Sequence, residues 1–269
     1  TEVRTHSHAQ HFLDRLALGY GWKGRWQEPR LDIASVYIDQ FPDKGDLGKE
    51  RVKRYGLKLY PSIEQALTLG TGDLAVDGVV IIAEHGNYPS NDKGQRLYPR
   101  YEWFKKCIKV FEKSGRSVLV FNDKHLSTSW NQCKEMVDDS KRLNLPFFAG
   151  SSLPVTRRMP SIDVPLHTPL KGSVCVAYGG VDSYDIHALE TAQCMSERRE
   201  GGEVGISEVH AVRGEKMWER LLTKQHKDTR RLIVSALTRS HNLPVKGGYY
   251  TGKITFEWAQ KTFPTAWAY

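Results

Sequence analysis

The sequence predicts an α/β protein, and three observations carry that reading. Short apolar runs rich in β-branched residues, at residues 31–39 (LDIASVYID), 76–83 (VDGVVIIA), 118–121 (VLVF) and 146–150 (PFFAG), alternate with stretches of helical periodicity. The runs at 76–83 and 118–121 are almost continuously apolar, as parallel strands covered on both faces require. Each of the first three runs ends on polar residues: Asp39, then Glu84-His85-Gly86-Asn87, then Asn122-Asp123-Lys124-His125. Alternating strands and helices imply right-handed crossovers and a parallel sheet, whose C-terminal edge is where open α/β sheets hold their chemistry.

Taken in order, residues 1–4 read as the tail of a strand that begins upstream of Thr1. Thr5 or Ser7 then caps a helix carrying Ala9, Phe12, Leu13, Leu16 and Ala17 at helical spacing, stopped by Gly19. A loop rich in glycine and tryptophan leads to the strand ending at Asp39. Asp46 caps a helix through Tyr55, residues 58–60 form a short strand, and Pro61 opens a helix to Leu69. After the strand at 76–83, residues 98–114 place Trp103, Phe104, Cys107, Ile108 and Phe111 on one helical face. The strand at 118–121 follows. A helix over 128–144, with Trp130, Cys133, Val137 and Leu143 on one face, leads to the strand at 146–150.

The pattern changes after Gly150. Pro154, Pro160, Pro165 and Pro169 mark an irregular passage, so the expected boundary separates a first domain, residues 1–150, from an α+β domain, residues 151–269. The latter is read as a strand at 173–178, a helix at about 184–199 with Ile186, Leu189 and Cys194 as its apolar positions, a strand at 208–213, and helices near 216–224, 229–239 and 255–263. No strand is evident after Arg213, so this domain's sheet, and with the open first strand the chain as a whole, is expected to be incomplete.

Composition narrows the function classes. A formal charge of +8, from 39 basic against 31 acidic residues, comes from charges interleaved along helices, the pattern of solvated faces, and no nucleic-acid signature accompanies it. The four cysteines form no CxxC pair, which argues against a disulfide framework or zinc knuckle and fits reduced thiols in a cytoplasmic protein. No run of about 18 apolar residues is present, so no membrane partner is expected.

The spacing of the first half suggests a dinucleotide fold, in which the first turn normally carries glycines so that backbone can approach a pyrophosphate. Here that turn reads Thr5-His6-Ser7-His8-Ala9. A helix N-terminus with Ser7 and His8 still attracts an anion, and Asp39 stands where an acid binds a ribose hydroxyl. The series VYIDQFP, KERVKRYGLKLYPSIEQAL, VDGVVIIAEHGNYP, SGRSVLVFNDKHLS and CKEMVDDSKRLNLPFFAGSS, spanning residues 31 to about 190, resembles the Gfo/Idh/MocA oxidoreductases. That resemblance implies a Rossmann-like first domain, NAD or NADP as cofactor, and a sugar-like, polyhydroxylated small-molecule substrate. It also implies a homo-oligomer built through the second domain. The family's Glu-Lys-Pro motif matches at Lys124 only, since Asp123 and His125 replace its neighbours. Lys124 is the implied proton-transfer lysine, with His187 the implied histidine; Ser183 stands four residues before it, where the family places an aspartate, so Asp182 or Asp185 would have to substitute, and Asp185 is taken as the candidate. Ser7, His8, Asp39, His85 and Asn87 are the candidate cofactor contacts. Two other expectations stand beside this one: a non-catalytic binder of small molecules or sugars with the same architecture, and a metal-dependent hydrolase using histidines such as His6, His8, His85, His125 and His187.

Overall fold

The computed structural model describes residues 1–240 and 242–269, and the chain divides into two compact units, Thr1–Gly150 and Ser151–Tyr269. The first unit is a mixed α/β arrangement. Helix α1 (His8–Leu18) is followed by an antiparallel hairpin, β1 (Tyr20–Trp22) and β2 (Arg25–Gln27), in what the sequence suggested was loop. Gly19 makes the junction possible: it adopts φ 91°, and a side chain there would meet the Gln27 carbonyl oxygen at 2.3 Å. Helices α2 (Gly48–Arg54) and α3 (Ile63–Thr68) come next, the latter capped by Ser62, whose hydroxyl accepts from the Gln65 N–H. Strand β3 (Gly78–Ile81), helix α4 (Arg100–Ser114), strand β4 (Leu119–Asp123), helix α5 (Trp130–Arg142) and strand β5 (Phe147–Gly150) complete the unit.

Strands β3, β4 and β5 form a parallel three-stranded sheet in that order. Its register sets Ile81 beside Asn122 and Asp123 beside Gly150, so the strand ends lie together. Residues 31–39 and 58–60 do not become full strands. They make one parallel bridge, Val36 to Leu59, with the Val36 N–H donating to Lys58 O and the Tyr60 N–H to Val36 O.

The core lies on the α4 side of the sheet. Phe104, Cys107, Ile108 and Phe111 of α4 pack with Val120, Ile81 and Met136, all 4% exposed or less, and the rings of Phe104 and Phe147 lie 4.7 Å apart. Each of the larger side chains contributes about 1.5–3 kcal/mol by leaving water. Helix α4 stops at Gly115, which takes the left-handed φ of 59° that terminates helices. In α5 the buried residues are Met136, Asp139 and Ser140, whereas Trp130 is 80% exposed. Of the expected face, Leu143 packs against the core, but the fully buried contact with the α4 residues is made by Met136 instead. Lys105 of α4 ties the two helices by reaching Glu135 (2.7 Å) and Asp139 (2.6 Å). On the other side of the sheet Phe12 of α1 meets Phe121, with ring centroids 5.8 Å apart.

The second unit contains α6 (Val181–Ser196), β6 (Val212–Arg213), α7 (Glu215–Leu222), α8 (Lys227–Leu237), β7 (Val245–Lys246), β8 (Tyr249–Tyr250), α9 (Phe256–Thr262) and β9 (Trp267–Ala268). Three of its strands follow Arg213, contrary to expectation: β6 pairs with β9 and β7 with β8, both antiparallel. Residues 173–178, expected as a strand, are not one. A core of Met217, Trp218, Leu221, Leu237, Phe256 and Ala259 joins α7, α8 and α9. The four cysteines are free thiols, with Cys107 buried, Cys133 and Cys194 half-buried and Cys175 exposed. Among the described residues no helix is long and apolar enough to cross a membrane.

Candidate functional site

The turn from Arg4 to Ser7 places the first side chain of α1 over the ends of β3 and β4. The Ser7 N–H donates to Arg4 O (3.0 Å), and the buried Ser7 hydroxyl accepts from the Gln10 N–H (3.1 Å) and the Arg4 N–H (3.2 Å). The bond from Gln10 caps the helix, and the bond from Arg4 ties the cap to the preceding turn. His8, at the first helical position, then points its Nδ1 at Asp123 Oδ2, 2.7 Å away, with Glu84 Oε2 at 3.3 Å.

Asp123 ends β4 and Lys124 follows it directly, and both are buried, at 2% and 7% exposure. Lys124 is held by reciprocal backbone hydrogen bonds with Gly150 on β5, 3.0 Å each way, and its Nζ pairs with Glu84 Oε1. Glu84 follows β3. Its other oxygen, Oε2, is buried without a hydrogen-bond donor. A ring of further groups surrounds this quartet. His85 Nδ1 meets the Arg4 guanidinium at 2.7 Å, and Arg100, at the start of α4, meets His125 Nε2 at 3.0 Å.

The charges organise one another. The hydrogen bond to Asp123 raises the His8 pKa above its usual 6.5, outweighing burial, which acts the other way. Burial works to raise the Glu84 pKa, but the hydrogen bond and positive charge of Lys124 prevail, so the carboxyl titrates below its usual range. Burial also dominates at His85 and lowers its pKa, which disfavours the charged imidazolium. The result is a largely buried cluster in which His8 and Lys124 face Asp123 and Glu84.

Backbone strain converges here too. His6, His85 and Lys124 have φ of 64°, 67° and 69°, a left-handed region that costs non-glycine residues roughly 1 kcal/mol or more each. The chain accepts that cost at three positions around one cluster.

The predicted residues therefore separate. His8, His85 and Lys124 come together. Ser7 acts as the helix cap. Asp39 accepts from the hydroxyls of Tyr37 and Tyr88, each at 2.6 Å; burial would raise its pKa, and these two bonds outweigh it and lower it. Asn87 is fixed through its backbone, its N–H donating to Gln40 Oε1 (2.8 Å). His187 and Asp185 lie on α6 in the second unit, where His187 Nδ1 is 2.5 Å from Ser151 Oγ and Asp185 Oδ1 accepts from the Ile186 N–H (2.8 Å). Of the other proposed histidines, His6 sits in the strained turn and His125 against Arg100.

Sequence reasoning missed Glu84 and Asp123 as members of the site. Both were visible as strand-end acids adjoining His85 and Lys124; their pairing with Lys124 and His8 depends on strand register. Chemically, the arrangement suits proton transfer at a buried position, and His8, Glu84 and Asp123 also present donor atoms all within 4.8 Å of one another, a spacing compatible with a cation. No protein-family model, curated protein or solved structure matches the chain.

Proposed function

We propose that the chain is an NAD(P)-dependent oxidoreductase acting on a hydroxyl or carbonyl of a sugar-like, polyhydroxylated substrate, with a Rossmann-like first unit. The observation that carries this reading is the buried Lys124–Glu84 pair beside His8–Asp123 at the C-terminal end of parallel strands. A lysine oriented by a carboxylate in a water-poor site can, as the ammonium, give a proton to a substrate oxygen, and the neutral amine that remains can take one back. Glu84 holds the Lys124 ammonium in place, and the His8–Asp123 pair offers a second proton store within the same cluster.

The residues present fit a dinucleotide in two respects. Asp39 already accepts two hydroxyls, which is the chemistry a ribose diol demands, and the turn before α1 takes the left-handed conformation at His6 that a glycine would supply. The departure is the side chains of this turn, which would keep a pyrophosphate from approaching the backbone as closely as glycines allow. NAD or NADP, when bound, would carry the hydride. The resemblance assigns further proton transfer to His187 and Asp185; the reading here rests on the first unit alone.

A calorimetric titration of the whole chain with NAD and NADP tests the proposal, and absence of binding to both removes it in favour of a non-catalytic binder. Given binding, Lys124→Ala is expected to lower turnover by about 100-fold or more while cofactor affinity changes little. Unchanged turnover removes Lys124 from the mechanism.

One observation favours a second reading, a metal-dependent hydrolase: the mixed nitrogen and oxygen donors of His8, Glu84 and Asp123 suit zinc or manganese. The Lys124 ammonium on Glu84 opposes it, because a metal ion would have to compete with that charge. Stoichiometric zinc or manganese by elemental analysis would promote this reading over the first.

A further inference from the structure

The first unit contains a slot with the dimensions of a β-strand. A cavity of about 890 Å³ separates the segment 33–38 from β3, with Phe12 and Leu16 of α1, Leu67 of α3 and Trp103 of α4 among its walls. Both flanking backbones have one partner only among the described residues. Strand β3 pairs with β4, and the 33–38 segment bridges to Leu59 through Val36.

Hydrogen-bond directions show which groups face the gap. Because backbone groups alternate sides along extended chain, a Val36 turned toward residues 58–60 leaves the N–H and C=O of Ser35 and Tyr37 facing the slot. The same alternation, anchored by Ile82 O, turns Val80 and Ile82 toward it. Thr1 occupies the exit of the slot. Its nitrogen donates to Ile82 O (3.0 Å), while its carbonyl oxygen accepts from the N–H groups of Asp39 and Gln40, 3.0 Å each. A single residue thus joins both edges, as a residue in a central strand does. Burial pushes the α-amine down from 8.0 to about 5, so the position suits a neutral peptide N–H better than a terminal ammonium.

We propose that this slot seats a further parallel strand of about six residues, joined to Thr1 by a peptide bond, lying between the 33–38 segment and β3. The strand is parallel because Thr1 leaves the slot at the end where β3 and the 31–39 segment both terminate. Apolar walls on both faces require apolar side chains at successive positions, since a charged residue buried there would lack a partner. With this strand in place, the sheet would run unbroken from residues 58–60 to β5, independently of any cofactor or metal.

Amide hydrogen exchange on the 269-residue chain gives the first test. The amides of Ser35, Tyr37 and Val80 are expected to exchange at least tenfold faster than those of Val36, Val79 and Ile81; equal protection of the two sets overturns the proposal. The second test compares chains extended before Thr1 by Val-Ile-Val-Val-Ala-Ile, by the same segment with Asp at its third position, and by Gly-Ser repeats of equal length. The apolar extension is expected to slow exchange at Ser35, Tyr37 and Val80 at least tenfold and to reduce the fluorescence of a bound apolar dye, and the other two are not. Identical exchange in all three chains overturns it. So does protection by the free apolar peptide added in trans when the fused segment gives none, since the occupant would then be a separate strand.

Discussion

The two units hold their candidate residues in different ways. In the first, Lys124 directly follows a strand buried on the α4 side by Phe104, Phe111 and Met136, and its backbone is clamped to Gly150. In the second, His187 rides on α6, a 16-residue helix with no buried residue and no side-chain hydrogen bond at its N-cap, Gly180. The contrast teaches that a strand end in a packed sheet fixes a side chain through its neighbours, whereas His187 depends on local contacts such as that with Ser151. Chemistry that needs sub-ångström placement is therefore better served by the first unit.

The largest expected effect tests this difference in packing. Phe104→Ala should destabilise the first unit by about 3–5 kcal/mol, because it removes a fully buried ring from the main core. Leu189→Ala on α6, at a position 46% exposed, should change the second unit by roughly 0.5 kcal/mol or less. Denaturant titration of both variants checks the ranking, and similar losses would erase the contrast.

Next comes the ion pair. Glu84→Gln strands the Lys124 ammonium in a buried position and is expected to cost about 3 kcal/mol. Asp185→Asn in α6 should cost far less, since burial already raises the pKa of that carboxyl and disfavours its charge. Equal costs, read by the same titration, would mean that Lys124 is not held as described.

The smallest effect is one of pH. The His8 pKa is raised in the folded chain, so its contribution to stability is full below the unfolded value near 6.5 and fades as pH rises through the folded value. The Glu84 pKa is lowered, so its contribution is present above the unfolded value near 4.5 and fades as pH falls through the folded value. Stability differences between the wild type and His8→Gln should therefore shrink from pH 6 to pH 8, as followed by thermal melts. A difference that grows over that interval would reverse the assignment.

Much of the first unit was legible because its signals are local. The α4 stripe from Trp103 to Phe111, the Ser7 cap and the apolar runs of β3 and β4 depend on spacing alone. The association of Glu84 with Lys124 was not legible, because a slip of strand register would separate them without altering either motif. Asp39 looked like a free acid since its partner Tyr88 arrives from the loop after β3, 49 residues later. In the second unit, the β7–β8 hairpin did leave a local trace: Gly247 and Gly248 both take positive φ between Lys246 and Tyr249, as a tight hairpin turn requires. The apolar run at 173–178 was misleading because strand formation needs an edge to pair with, and side chains alone do not provide one.

The strained backbone at His6, His85 and Lys124 has an evolutionary consequence. Glycine would relax the local geometry at each, but at Lys124 it would also strip the buried Glu84 carboxylate of its counter-charge, which costs more than the strain it relieves. Function is therefore set against robustness at His6 and His85, whereas Lys124 is kept by its ion pair as well. A lineage released from the need for this chemistry would be expected to lose the two imidazoles first, while the Lys124–Glu84 pair and the α4 core endured.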